Sequence, residues 1–205
     1  MVEFSNISLA FDDKKIFENF NLNILKGEKV LLSAPSGSGK SSLFKLLLGF
    51  LKPDQGIIQF KGKKLNKNTV REIRNSISYV SQDIEFRDEK VVSLMKEIFL
   101  YHHNKNKDLN HKRIEDLLTY FHLNKNILEK KIGELSGGER QRLGLITAIL
   151  LDREVWLLDE VTSALDHELK QKVVDYITQN DKTVLVISHD DIWKETSVFK
   201  IVRWS

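Results

Sequence analysis

The sequence predicts an α/β fold built around a parallel sheet, because short apolar strands alternate with segments of helical spacing. Three segments have the length and composition of buried strands: residues 30–33, residues 155–158 and Thr183–Ile187. A glycine-rich loop and a helix follow the first of them, and a helix at about residues 167–179 separates the other two. Since strands joined through a helix pair in parallel, we expect these strands to share one parallel sheet.

The remaining elements are less regular. The other predicted strands lie at residues 4–11, 20–25, 57–60, 77–81 and 199–204. In the second of them, Phe20, Leu22 and Ile24 nearly alternate with polar residues, which is typical of a half-buried strand. Between about residues 90 and 131, apolar side chains recur at helical spacing among charged ones. We therefore expect a small helical subdomain in that segment.

Composition excludes several classes of protein. The chain has 205 residues, 41% hydrophobic and 30% charged, which suits one domain, or one with a small subdomain. A net charge of +3, with both signs interspersed, does not indicate a nucleic-acid partner. The absence of cysteine excludes disulfides and cysteine-ligated zinc. The N-terminus lacks a secretory pattern and the apolar runs are short, so we expect no direct membrane insertion.

A loop of glycine, serine and lysine lies between the first buried strand and a helix predicted at about residues 40–49. Gly37 and Gly39 let backbone N–H groups converge on phosphate oxygens. Lys40 would reach the β- and γ-phosphates, and the Ser41 hydroxyl would bind Mg²⁺. Ala34 replaces the usual first glycine, which the turn accepts if φ stays negative. The predicted nucleotide-binding residues here are Ala34, Pro35, Ser36, Gly37, Ser38, Gly39, Lys40, Ser41 and Ser42.

An acidic pair ends a second buried strand. Asp159 follows four apolar residues, so it lies at the sheet edge where α/β proteins bind ligands. A carboxylate there can hold Mg²⁺, directly or through water. Taken alone, Asp159 and Glu160 would more often be solvated surface residues. In a chain with a phosphate loop, they predict a magnesium site.

A second segment that could bind phosphate, besides the loop around Lys40, lies far along the chain at residues 135–141 (LSGGERQ). Ser136 and Glu139 have the spacing of a capping box, with Ser as N-cap and Glu at N3. The helix start at Gly137 and Gly138 also suits a phosphate. Both interpretations remain open for this segment by itself. Two phosphate-seeking elements far apart in one sequence suggest that one serves a nucleotide held mainly by another protein copy.

This combination resembles the ATP-binding cassette (ABC) ATPases, whose LSGGQ-type signature closes over the ATP of the partner subunit. The resemblance covers nearly the whole chain, because the motifs occur in the family's order. It implies a P-loop NTPase (RecA-like) core with an N-terminal antiparallel β subdomain and a small helical subdomain. Residues 1–205 would form a single ABC ATPase domain that contains the helical subdomain at about residues 90–131.

The resemblance also implies roles for single residues. Glu160 matches the catalytic glutamate that polarises the attacking water, and His189 matches the switch histidine that contacts the γ-phosphate. Gln82 matches the Q-loop glutamine, which senses magnesium and the attacking water. Asp166 ends the D-loop, which crosses to the partner, and it can also cap the following helix. Phe11 lies where the family stacks an aromatic ring on adenine, although aromatics in strands are usually core residues.

These roles define three sets of residues. The catalytic set is Lys40, Gln82, Glu160 and His189; the Mg²⁺ set is Ser41, Gln82 and Asp159; and Ser136, Gly137, Gly138 and Asp166 join the nucleotide-binding set. Three positions depart from the family pattern: Ala34, Val161 in place of a common proline, and residues 146–148, where an arginine is frequent. None of them removes a catalytic group. Residues 134–145 and 157–166 resemble small bacterial cassettes of the YbbL-like, iron-export type.

The resemblance implies the ATP-binding and ATP-hydrolysing subunit of an ABC transporter, with ATP and Mg²⁺ as cofactors. Two subunits, identical or homologous, would enclose two ATP molecules and power separate integral membrane permease subunits. The protein would be cytoplasmic, peripheral at the inner face of the cell membrane through those permeases. Residues 84–86 fall where the family contacts a membrane-domain coupling helix. The substrate, the direction of transport and the choice between homodimer and heterodimer stay open, since selectivity would belong to the membrane subunits.

Two other functions fit less well. A soluble ABC ATPase of DNA repair would insert long coiled coils before the signature, and only residues 83–135 separate Gln82 from Ser136. One of translation would carry two cassettes in one chain, and this chain has one phosphate loop. A regulatory module without hydrolysis would lack Glu160 or His189, and both are present.

Overall fold

The computed structural model describes residues 1–12, 14–35, 37–84, 86–104 and 109–204. Its strands are β1 (Val2–Phe11), β2 (Lys14–Ile24), β3 (Lys29–Ser33), β4 (Gln55–Phe60), β5 (Lys63–Lys64), β6 (Ile77–Val80), β7 (Val155–Asp159), β8 (Thr183–Ile187) and β9 (Phe199–Arg203). Its α-helices are α1 (Lys40–Leu47), α2 (Val70–Asn75), α3 (Val91–Leu100), α4 (His111–Tyr120), α5 (Gly137–Leu151) and α6 (His167–Thr178).

The strands form two sheets. The central sheet has five parallel strands in the order β6-β7-β8-β3-β9, and the N-terminal sheet has four antiparallel strands in the order β2-β1-β4-β5. Helix α6 connects β7 to β8, and such a crossover allows parallel pairing. The predicted α/β fold, with a parallel core and an antiparallel N-terminal sheet, is therefore confirmed.

The alternation of side chains along β7 divides the interior into two apolar cores. Trp156 and Leu158 belong to the core that includes buried residues of α5 and α6. Val155 and Leu157 belong to the core that includes α1 and the N-terminal sheet. Because successive side chains point to opposite faces, a continuous apolar strand is buried on both sides. Each large apolar side chain buried in this way contributes about 1.5–3 kcal/mol.

Helices α3 and α4 lie within the segment predicted to be helical. Their buried side chains, which include Met95 and Leu118, share a core with α5 and one face of the central sheet. Among the described residues, no helix combines the length and apolar character that crossing a bilayer requires.

Two elements differ from the prediction. Helix α2 is not predicted, because its six residues bury only Ile73 and are too few to show a helical period. Strand β2 begins at Lys14, well before residue 20. Register shifts interrupt its pairing with β1, so the sequence of β2 does not alternate regularly enough to reveal its full length.

Candidate functional site

Most of the predicted site residues converge at one edge of the central sheet. Asp159 at the end of β7 is paired with Ile187 of β8, and Ile187 is paired with Leu32 of β3. Because the three strands are parallel, the segments that follow them leave the sheet at the same edge. A cleft of about 810 Å³ opens there. It is lined by Phe11, Asp12, Lys14, Ile16, Gly37, Gly39, Lys40, Ser41, Ser42, Gln82, Asp159, Glu160, Ile187 and His189.

Two glycines shape the loop between β3 and α1. Gly37 and Gly39 have φ angles of 77° and 91°, in the left-handed region that favours glycine. A Cβ on Gly39 would collide with Cγ2 of Ile16 and lie 3.2 Å from the ring of Phe17, because β2 packs closely against the loop. Gly39 is the N-cap of α1 and supplies no side chain to bond the first turn. The N–H groups of that turn are therefore suited to an anion.

Lys40, the first residue of α1, is folded back onto its own loop. Its Nζ donates to the carbonyl oxygen of Ala34 at 2.6 Å and to that of Pro35 at 3.1 Å. Burial lowers the pKa of Lys40, and the nearby carboxylates of Glu160 and Asp159 oppose that shift. An incoming phosphate can replace the two carbonyl acceptors with a stronger, charged one.

The other predicted loop residues are Ser38, Ser42 and Ser36, and Ser36 lies outside the described residues. Ser42 lines the cleft. The carbonyl of Ser38 accepts a 3.0 Å hydrogen bond from Nε1 of Trp204. The Trp204 ring packs against Phe17 and Phe20, so the loop is attached to an aromatic cluster on β2.

Asp159 is 5% exposed, and the Ser41 side chain lies close to its carboxylate. The Tyr79 hydroxyl donates to Oδ2 of Asp159 at 3.5 Å. Burial raises the pKa of Asp159, although the hydrogen bonds from Ser41 and Tyr79 and the charge of Lys40 oppose this. Burial and the neighbouring Asp159 raise the pKa of Tyr79 to about 12. The adjacent carboxylate and hydroxyl oxygens are ligands of the kind that Mg²⁺ prefers.

Glu160 follows β7 in the left-handed conformation, with φ 51°. This conformation is uncommon for a residue with a Cβ and costs on the order of 1 kcal/mol. The Glu160 N–H donates to the carbonyl of Ile187 at 2.8 Å. Its carbonyl accepts hydrogen bonds from Gln141 Nε2 and Ser163 Oγ, both at 2.8 Å. These three bonds hold the strained peptide in place.

The Glu160 carboxylate faces His189, which lies two residues after the end of the neighbouring strand β8. The N–H of His189 donates to Oε2 at 3.4 Å, and His189 Nε2 lies 3.6 Å from Oε1. The Glu160 side chain is 12% exposed, whereas that of His189 is 60% exposed. Burial raises the pKa of Glu160, and the contacts with His189 oppose that rise. A carboxyl group with a raised pKa is a better proton acceptor, as a general base requires.

Gln82 and Phe11 complete the set that the structure brings together. Gln82 lies two residues after β6, and Phe11 is the last residue of β1. Phe11 is 44% exposed, whereas Phe4 and Phe17 of the same sheet are buried. Phe11 is therefore a residue of the cleft wall and not of the core, contrary to the usual place of a strand aromatic.

The signature segment does not line this cleft. Ser136 is the N-cap of α5, and its Oγ accepts from the N–H of Glu139 at 3.2 Å. In return, the Glu139 carboxylate accepts from the N–H of Ser136 at 2.8 Å, which confirms the predicted capping box. A Cβ on Gly137 would meet no described atom within 4 Å, so the helix start is open on that side. A Cβ on Gly138 would lie 3.3 Å from the Ala164 carbonyl oxygen, so Gly138 is packed against that segment.

Asp166 is also away from the cleft. It is the N-cap of α6, and its Oδ1 accepts from the N–H of Leu169 at 2.9 Å, as the sequence predicts. Within the described part of the chain, none of Ser136, Gly137, Gly138 and Asp166 lines the cleft that contains Lys40.

Several residues at this site are not identified from the sequence. Gln141 is 5% exposed and joins α5 to the Glu160 peptide. Tyr79 bonds Asp159, and Lys14 and Ile16 line the cleft from β2. The spacing of Lys14 and Ile16, two residues apart on a strand, is the one available signal, and it requires knowing that β2 begins at Lys14.

A second groove of about 630 Å³ adjoins Gln82. Ile84 and Phe86 line it, together with residues from the start of α5, while Glu85 lies outside the described residues. The Cδ1 atom of Ile84 occupies the space that a Cβ on Gly144 would need. The segment after Gln82 therefore rests directly on helix α5.

Known proteins share both the sequence and the fold. The family model described as ABC transporter matches residues 17–163. The chain is 32% identical to the probable iron export ATP-binding protein FetA of Escherichia coli (strain K12), over 93% of this chain and 85% of that protein. It is 31% identical to the ergothioneine transport ATP-binding protein EgtV of Helicobacter pylori (strain G27), over 93% of this chain and 91% of that protein.

The fold agrees with solved cassettes. A bacterial ABC transporter cassette determined as a dimer superposes with a TM-score of 0.83 at 23% identity, over 99% of this chain and 94% of that one. Another dimeric cassette structure, in a post-hydrolysis state with ADP and Pi, gives the same TM-score at 24% identity, over 100% of this chain and 94% of that one. With the P-loop fold and the cleft described above, these matches show that the chain belongs to the ABC transporter family as an ATP-binding cassette, the ATPase subunit of a transporter.

Proposed function

We propose that this chain binds MgATP in the cleft and hydrolyses it with Glu160 as general base, in a dimer of cassettes that powers separate permease subunits. One observation carries the proposal. The phosphate loop, the acidic pair at the end of β7 and His189 meet at the edge of three adjacent parallel strands. No local folding rule requires these three segments to carry complementary chemistry, so their convergence supports a common role in phosphate chemistry.

The nucleotide would lie along the cleft from Phe11 to Glu160. The exposed ring of Phe11 offers a stacking surface for adenine. The backbone N–H groups of the phosphate loop and of the first turn of α1 would bind the phosphates. Lys40 would exchange the carbonyls of Ala34 and Pro35 for β- and γ-phosphate oxygens.

Ser41, Asp159 and Gln82 are the residues that would hold Mg²⁺. The Ser41 side chain and the buried Asp159 carboxylate bring two oxygen ligands close together in the cleft, and Gln82 adds an amide oxygen to it. One carboxylate and few protein ligands suit Mg²⁺, which is usually completed by water and substrate phosphates. When bound, the ion would neutralise charge on the phosphate oxygens.

Glu160 and His189 would carry out the hydrolytic step. The Glu160 carboxylate would accept a proton from the water that attacks the γ-phosphorus, and the bond to ADP would break as the new P–O bond forms. Gln82 would help to place this water. The exposed imidazole of His189 would contact the γ-phosphate, while the backbone N–H of His189 donates to the Glu160 carboxylate.

A second cassette would complete each site. Ser136, Gly137 and Gly138 start α5 outside the cleft, and the side chain space of Gly137 is open. These features support binding of the γ-phosphate of a partner's nucleotide, with Asp166 near the contact. Either a second copy of this chain or a homologue would serve.

The permease partner would dock on the second groove, through Ile84 and Phe86. Because Ile84 rests on α5, a contact there would reach both Gln82 and the signature helix. The protein would then be a cytoplasmic subunit held at the membrane by its permease. Relatives named for iron export and for ergothioneine transport are 32% and 31% identical to this chain. Because the chain is equally similar to relatives named for different substrates, we infer that the permease, and not this subunit, selects the substrate.

The test is ATP turnover by the purified chain, with and without Mg²⁺, beside the Lys40→Ala variant. We expect Mg²⁺-dependent release of phosphate in the wild type and its loss in the variant. ATP-dependent dimerisation, measured by light scattering, tests the second cassette. A wild-type chain that neither binds ATP nor releases phosphate would contradict the proposal.

A further inference from the structure

We propose that Lys14, in the hairpin between β1 and β2, is a further nucleotide-binding residue that contacts the phosphate chain. The inference rests on the proposed function and adds a ligand contact to it. It also assigns a second ammonium group to a site where the sequence motifs provide only Lys40.

Strand geometry directs Lys14 into the cleft. Lys14 begins β2, and its Cα is paired with that of Phe11 across the hairpin. Lys14 and Ile16 both line the cleft. Lys15, which lies between them, instead bonds Glu18 at 2.8 Å on the exposed side, as the alternation of a strand requires. Lys14 therefore lies next to Phe11, the residue proposed to stack on adenine.

The Lys14 ammonium also lies against the phosphate loop. Its Nζ donates to the carbonyl of Gly37 at 3.3 Å. The same Nζ lies 3.6 Å from the point where a Cβ of Gly37 would stand, so the absence of a side chain there leaves room for it. Lys14 thus spans the distance between Phe11 and the loop, where a nucleotide places the phosphates nearest its ribose.

In the part of the chain that the structure describes, the acceptor of the Lys14 ammonium is a weak one for a cation. Among the described residues, no carboxylate lies within ion-pairing distance of its Nζ, although Asp12 also lines the cleft. A backbone carbonyl is its acceptor, as carbonyls are for Lys40. A phosphate oxygen binds an ammonium more strongly than a neutral carbonyl does. Both lysines would therefore move from loop carbonyls to phosphates when nucleotide binds.

The experiment compares Lys14→Gln with the matched variant Lys15→Gln in the full chain. Dissociation constants for ATP and ADP are measured by calorimetry at low and high salt. We expect Lys14→Gln to weaken both nucleotides by about tenfold at low salt, with a smaller difference at high salt, since a charge contact is screened. Lys15→Gln should bind within about twofold of the wild type, because an exposed ion pair contributes little. Lys14→Arg, which keeps the charge, should recover most of the affinity.

Two results would overturn the inference. One is equal affinity of Lys14→Gln and the wild type. The other is a loss that salt does not change, that Lys14→Arg does not recover and that accompanies a lower thermal midpoint of the nucleotide-free protein, because this would mean that Lys14 only supports the loop. Failure of the proposed function looks different: the wild type would not bind ATP, or Lys40→Ala would bind it equally well.

Discussion

His189 contacts both carboxylate oxygens of Glu160: its N–H donates to Oε2 at 3.4 Å, and its Nε2 lies 3.6 Å from Oε1. The backbone of His189, just after β8, thus orients the side chain of Glu160, just after the neighbouring strand β7. The strained peptide of Glu160 is fixed at the same time by Ile187, Gln141 and Ser163. The carboxylate is therefore held in place before nucleotide binds, and preorganised groups of this kind favour catalysis.

Replacing Glu160 with Gln should stop turnover without preventing ATP binding. The amide has the same size but cannot accept a proton from water, and loss of a general base typically reduces the rate by about 10²–10⁴-fold. The variant should accumulate as an ATP-bound dimer in size-exclusion chromatography. Glu154→Gln, just before the other end of β7, is the matched control and should hydrolyse ATP normally. Turnover by Glu160→Gln at the wild-type rate would contradict the assignment.

Replacing Asp159 with Asn should stabilise the nucleotide-free protein at neutral pH. Burial raises the pKa of Asp159, so the folded state favours its protonated form. The stability that comes from protonation is present below the unfolded pKa and is lost as the pH rises through the folded pKa. Asn removes this loss, and a gain of about 1 kcal/mol raises the thermal midpoint by about 2–4 °C in a domain of this size.

The stability gain of the Asp159→Asn variant should depend on pH. The difference in folding stability between the variant and the wild type should shrink toward about pH 4, near the ordinary pKa of an aspartate. At that pH the wild-type carboxyl group is protonated and therefore, like the asparagine amide, carries no charge. Thermal melts across this range measure the difference. An advantage that stays constant with pH would show that the charge of Asp159 is not its cause. Mg²⁺-dependent hydrolysis should be lost throughout.

Replacing Gly39 with Ala should unfold the phosphate loop locally and abolish ATP binding. The change adds a left-handed strain of about 1–2 kcal/mol and a collision with Ile16, which typically costs a further ~1–3 kcal/mol. Gly62→Ala separates the two effects, because Gly62 has a φ of 74° and no described atom near its Cβ position. Urea unfolding should show a clearly larger loss for Gly39→Ala, and equal losses would contradict the packing argument.

Replacing Ser136 with Asp should block ATP-dependent dimerisation while leaving ATP binding to the monomer intact. Asp keeps the N-cap of α5 but places a negative charge where the partner's γ-phosphate is proposed to lie. Ser136→Asn is the matched control, since Asn caps equally well without the charge. Light scattering with ATP compares the two. If the Asp variant still dimerised, or lost monomer binding as well, the trans arrangement would be wrong.

Much of the site could be predicted because its chemistry is local in sequence. The phosphate loop needs left-handed glycines and a lysine in consecutive positions, and residues 34–42 contain them. The capping box of Ser136 and the N-cap of Asp166 depend on residues three apart, and the structure has both. Buried parallel strands are continuous apolar runs, so the strands that end at Asp159 and Ile187 are also evident from sequence.

Other features depended on contacts between distant segments. Only the strand order β7-β8-β3 brings Asp159, His189 and Lys40 to one cleft, since no local sequence pattern encodes which strands are neighbours. The exposure of Phe11 and the contacts of Gln141, Tyr79 and Lys14 likewise arise from packing between elements. Local propensity is a property of adjacent residues, and it settled most of the elements and the LSGGERQ helix start. The cleft depends on burial of both faces of the central sheet, and so does the position of that helix start outside the cleft. This burial involves contacts between segments throughout the chain, so no local sequence pattern determines it.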